Sequence, residues 1–171
     1  EDVIYRKKAH DLVFLLDASA SMTVKDTRSG QSRFELAKEI IDEVARLVQG
    51  DTVALYTFTS EVTPVVPLTL DVLYLRLLLP HVKINEGDVA GTDFFALVDQ
   101  VKKKHLASKN KCVTLVLLSD GGDTYLETLQ GEVRKKQLDT LMAHVDSMTS
   151  DTFSFFTIGM GSAQGADIPN L

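Results

Sequence analysis

The sequence predicts an α/β fold: a doubly wound, mainly parallel sheet with helices on both faces and one antiparallel edge strand. Three observations carry that expectation. Four short apolar runs, Leu12–Leu16, Val53–Phe58, Val113–Leu118 and Phe153–Ile158, are near-continuous rather than alternating, as strands covered on both faces are. Helical spacing lies between them, and alternating strands and helices imply right-handed crossovers in a parallel sheet. A further run, Val62–Leu68, is broken by Pro64 and Pro67. Proline cannot donate to a central ladder, so this run belongs at an edge, paired back onto Val53–Phe58.

The helices are read from their stripes. Phe34, Ala37, Ile41, Val44 and Val48 keep one apolar face, with "SRFE" at 32–35 as a capping box at its start and Gly50 as its stop. Asp71–Leu79, closed by Pro80, is a short helix. Phe94, Val98 and Val101 mark another, and Leu138, Leu141, Met142, Val145 and Met148 a fourth. No internal repeat or low-complexity stretch interrupts the chain, so residues 1–171 are expected to form a single domain.

Composition narrows the function. Net charge is −6, from 18 Lys+Arg against 24 Asp+Glu, which argues against nucleic acid as a partner. The short runs Lys102–Lys104 and Arg134–Lys136 read as solvated helix faces. Cys112 is the single cysteine; it excludes an internal disulfide and, opening an apolar strand, is expected to be a buried thiol. No apolar run approaches the roughly 18 residues of a membrane span and no signal peptide is visible. The chain starts at Glu1, and the expectation is a piece of a longer protein.

Ligands of open parallel sheets bind beyond the carboxyl ends of the strands, where strand order reverses. The first strand runs into Asp17, Ser19 and Ser21 in "DLVFLLDASASM", the third into Asp120 in "LLSDGGDT", and "AGTDFF" places Thr92 at a helix start. Each segment alone also reads as an ordinary turn or helix cap. If the two strands are central neighbours, the three loops converge. The set then holds two carboxylates and three hydroxyls, with no soft ligand and no basic residue interleaved, which suits a hard cation such as Mg²⁺.

With Asp17-Ala18-Ser19-Ala20-Ser21, Thr92 and Asp120 in place, the chain resembles the von Willebrand factor type A (VWA) family, whose fold is Rossmann-like. That family's metal-ion-dependent adhesion site (MIDAS) is D-x-S-x-S, then Thr, then Asp. Ala20 stands where many members have Gly. The resemblance implies Ser19, Ser21 and Thr92 as direct ligands of Mg²⁺, with Mn²⁺ or Ca²⁺ as substitutes, and Asp17 and Asp120 as outer or switchable ones. Asp93 and Asp123 read as nearby surface charges. The family sheet has a sixth strand and a further helix after "FTIGMGSAQG", which this chain is expected to lack. "VVPLTLD" and "FFTIGMGSAQGADIP" are most similar to the bacterial aerotolerance (Bat-type) proteins. This implies a membrane-anchored domain facing the periplasm, in a cell-envelope complex.

The expected function is a non-enzymatic, Mg²⁺-dependent protein-interaction module whose partner supplies Asp or Glu. Two alternatives stand beside it. A phosphotransferase of the haloacid dehalogenase type also binds Mg²⁺ after a first strand, but needs D-x-D, and its second acid is Ser19 here. An adjoining AAA+ ATPase would instead indicate a metal-insertion complex. "GMGSAQG" lacks the spacing and the following helix of a dinucleotide loop. None of His10, His81, His105 and His144 sits in a recognisable nucleophile arrangement.

Overall fold

The computed structural model of the chain describes residues 10–85, 112–121 and 152–161, together with 100, 101, 103, 132, 135, 136, 139 and 143. Five strands form one sheet: β1 (His10–Asp17), β2 (Thr52–Phe58), β3 (Val62–Thr69), β4 (Cys112–Ser119) and β5 (Phe153–Gly159), in the order β3-β2-β1-β4-β5. β1 pairs in parallel with both β2 and β4, and β4 in parallel with β5. The four apolar runs are therefore the four parallel strands, each one to three residues longer than its apolar stretch.

β3 is the antiparallel edge anticipated from its prolines. Pro64 stands opposite Tyr56, and the register shifts between Leu55 and its neighbours on β2, a bulge of the kind that relieves an edge strand with missing donors.

β1 is buried from Asp11 to Asp17. Its alternate side chains feed two cores, as a period of two requires. Leu12, Phe14 and Leu16 pack with Phe34, Ala37, Ile41 and Ala45 of α1 (Arg33–Leu47) and Leu75 of α2 (Val72–Leu78). Val13 and Leu15 pack on the other face with Ala54, Tyr56, Leu115 and Val101. Gln100, Val101 and Lys103 are helical and Val101 is buried, so a helix covers this second face as expected. The bulk of the two later predicted helices lies outside the described residues.

Local signals mostly hold, with four corrections. Ser32 caps α1, its hydroxyl accepting from the Glu35 N–H at 3.2 Å, but the Glu35 carboxylate turns forward to Lys38 Nζ at 2.8 Å rather than closing a capping box. α1 stops at Leu47 because Val48 is already extended (φ −74°, ψ 124°). Gly50, with φ +76°, supplies the left-handed turn into β2 rather than the helix stop. Asp71 caps α2 by accepting from the Tyr74 N–H at 3.0 Å. Pro80 does not end the segment; it sits inside a 3-10 turn (Leu79–His81) that continues α2. The fourth correction concerns Cys112, which is half-buried rather than buried, because it begins β4 at the sheet's rim.

Candidate metal centre

Strand order reverses between β1 and β4, since the chain leaves β1 for β2 on one side and returns to β4 on the other. Leu16 pairs with Leu118, so Asp17 and Ser119 stand one step further on, at the carboxyl edge of this switch point. The convergence expected of the first and third apolar strands is thus what the sheet produces.

After Asp17 the backbone leaves the sheet in a short 3-10 turn (Ala20–Thr23). Met22 is fully buried in the core of the α1 face and pins that turn, which leaves the intervening serines near the surface. The Ser19 and Ser21 hydroxyls lie 2.9 Å apart. Behind them Asp17 has no exposed surface. Its Oδ1 accepts from the Ser19 N–H at 2.9 Å and its Oδ2 from the Ser119 hydroxyl at 2.5 Å. Ser119 in turn accepts from the Gly121 N–H at 3.1 Å. Gly121 has φ +83°, a conformation glycine adopts without strain, and it lets the chain turn sharply around Asp120.

Burial pushes the Asp17 carboxyl above the usual range; bonds from Ser119 and Ser19 pull the other way, and the nearby Asp120 charge adds to the rise. A buried anion disfavoured by its surroundings suits a group meant to face a cation. Asp120, also buried, accepts through Oδ2 from Arg33 Nη1 at 2.8 Å. Arg33 holds Asp26 as well, through Nε to Oδ1 at 2.9 Å and Nη2 to Oδ2 at 2.6 Å. No basic residue is interleaved in the site's own segments, but Arg33, the first residue of α1, reaches across from outside them to the tip of β4.

The structure thus brings together Asp17, Ser19, Ser21 and Asp120. Thr92 lies outside the described residues, as do Asp93 and Asp123. The Asn85 N–H donates to the Ala18 carbonyl at 3.0 Å, so the chain runs past the site loop before the segment that carries Thr92. Sequence reasoning missed Ser119, Arg33 and Asp26. A hydroxyl directly before Asp120 was a usable sign of the first; the other two carried none, because Arg33 and Asp120 are 87 residues apart.

The donor set fits a hard divalent cation: oxygen atoms only, two carboxylates, and two hydroxyls within reach of solvent. Among the described residues no group of three or more His, Cys, Asp or Glu side chains gathers in a way that could hold a metal ion, here or elsewhere, so the candidate centre relies on hydroxyls beside its two carboxylates.

The sequence profile of the von Willebrand factor type A domain matches residues 12–122, more than half of the chain, and the chain belongs to that family. Among solved structures it is similar to BatB from Bacteroides thetaiotaomicron, at 19% identity and a TM-score of 0.69 over 94% of this chain and 71% of that one. A second similar structure is an aerotolerance-related membrane protein from Bacteroides fragilis, at 21% identity and a TM-score of 0.65 over 94% and 72%. The PilB minor pilin of Streptococcus sanguinis follows at 16% identity and a TM-score of 0.56 over 70% and 31%. These likenesses concern the fold. An uncharacterised protein of Borreliella burgdorferi is 24% identical over 165 residues, which are 95% of this chain and 44% of that protein. The chain therefore spans less than half the length of that relative.

Proposed function

We propose that this domain is a non-enzymatic, Mg²⁺-dependent protein-interaction module. The observation that carries the reading is the buried Asp17 carboxylate at the switch point, backed by Asp120 and fronted by the Ser19 and Ser21 hydroxyls. Ser19, Ser21 and Thr92 would hold the ion directly, with Asp17 and Asp120 as outer ligands; Mn²⁺ or Ca²⁺ would substitute. Mostly neutral direct ligands leave a bound cation electrophilic, so it favours an Asp or Glu carboxylate supplied by another protein.

Charge supports the same direction. The chain carries −6, and without a cation the site's aspartates repel an incoming acidic group. Loss of a buried charge-assisted contact costs ~2–5 kcal/mol, a weakening of about thirtyfold or more. Ser19 occupies the place where a D-x-D phosphotransferase needs its second acid, and in this structure its hydroxyl lies against the Ser21 hydroxyl and the Asp17 carboxyl. Because one similar structure is that of a membrane protein, we place the partner in the bacterial envelope, with the domain anchored through segments outside this chain and facing the periplasm. Among the described residues no helix is long and apolar enough to cross a membrane.

The test is a pull-down from envelope extract in Mg²⁺ or EDTA with the wild type and Thr92→Ala. Capture should need both the ion and Thr92, while the variant melts close to the wild type. Equal recovery of the same proteins in all four arms would place the interaction surface elsewhere. A parallel assay with a generic phosphatase substrate and with ATP should give only background, and turnover lost in Asp17→Asn would favour the phosphotransferase.

A further inference from the structure

Arg33 spreads one guanidinium over two carboxylates from distant parts of the chain. Both oxygens of Asp26 are engaged, at 2.9 and 2.6 Å, while Nη1 takes Asp120 Oδ2 at 2.8 Å. The Arg33–Asp120 contact is enclosed, with the Arg33 side chain 11% exposed and that of Asp120 3%, while Asp26 is partly open to solvent. A Cβ built on Gly161, just past β5, would lie 3.6 Å from the Arg33 Cζ, so the turn after β5 lies against the fork. The Arg33 N–H donates to the Val24 carbonyl at 3.0 Å, tying the helix start to the loop that carries Ser19 and Ser21.

A guanidinium is planar and always charged, with donors in a fixed fork. Once Asp26 has fixed its plane through two bonds, the direction of Nη1 is fixed too, and with it one oxygen of Asp120. The β4-tip carboxylate is therefore not a full anion at the disposal of a metal. An internal cation shares it, and Asp26 decides how much of that cation's charge reaches it.

We propose that Arg33 is the positioning residue that sets the divalent-metal affinity of this centre, restraining Asp120 and offsetting its charge under the control of Asp26. This rests on the metal reading above. A merely structural salt bridge would predict that any break in the triad loosens the site and weakens binding. The charge-sharing role predicts opposite signs. Arg33→Gln removes the cation that offsets Asp120, and should tighten Mg²⁺ binding by about threefold or more. Asp26→Asn leaves the charge of Arg33 on Asp120 alone, and should weaken binding by a similar factor.

Calorimetric titration of Mg²⁺ into wild type, Arg33→Gln and Asp26→Asn, each first shown to be folded by a cooperative urea transition, tests this. If Arg33→Gln does not fold, Arg33→Lys replaces it, because an ammonium cannot serve both acids at once; the same sign and a smaller change are expected. Tighter binding in the arginine variant and weaker binding in the asparagine variant support the assignment. Changes of the same sign, or none, with the wild type still binding, overturn the role of Arg33 and leave the metal reading intact. A wild type that binds no Mg²⁺ removes both.

Discussion

To face the proposed cation Asp17 would have to be an anion, yet the fold puts it where charge is disfavoured. Its raised pKa, caused first by burial, has a definite consequence for stability. A carboxyl whose folded pKa lies above its unfolded value favours folding at low pH and loses that contribution as pH rises through the folded value. In the metal-free chain Asp17 is therefore a liability near neutrality. Asp17→Asn retains an acceptor for the Ser19 N–H and a polar contact with Ser119, so it should stabilise the metal-free chain by about 1 kcal/mol at neutral pH. The gain should shrink as pH falls towards the unfolded carboxyl range. Urea midpoints in EDTA at two pH values check this. Added Mg²⁺ should raise the wild-type midpoint and leave the variant unmoved, and its effect on the wild type should fade on acidification, because the ion needs the ionised carboxylate.

Between the elements, the most informative contact is Asp42 of α1. It accepts from Arg76 of α2 at 2.6 Å and from Arg46 on its own helix at 2.9 and 2.6 Å. Arg76 first, then Arg46, hold the Asp42 carboxyl below the usual range. The sign is opposite to that of Asp17: its stabilisation is present above the unfolded pKa and is lost as pH falls through the folded one. Asp42→Asn should cost about 0.5–1 kcal/mol at neutral pH, since the site is partly solvated, and close to nothing in strong acid. Thermal melts across that range would show the two curves converging. At the Ser32 cap, Ser32→Ala should cost about 1 kcal/mol. Caps of this kind were legible in the sequence because their partners lie within one turn. The stop of α1 was not: Val48 continues the apolar stripe, and only its backbone angles show that the helix has ended.

For the whole molecule, the apolar runs and the two prolines of β3 were enough to read a parallel sheet with an antiparallel edge, because burial on both faces leaves a composition that few other structures produce. The switch point followed once two strands ended in oxygen ligands, and Asp17, Ser19, Ser21 and Asp120 do meet there. What composition could not reveal is long-range pairing. Nothing near Asp26 or Arg33 marks them as neighbours of a residue at the far end of β4, and although Ser119 directly precedes Asp120, its bond to Asp17 spans 102 residues. We propose that these elements converge to hold one divalent cation. Calorimetry of Mg²⁺ with the wild type and with Asp17→Asn, both folded, tests it most directly. One site per chain in the wild type, absent from the variant, is the predicted result; no binding by the wild type, or equal binding by both, would contradict it.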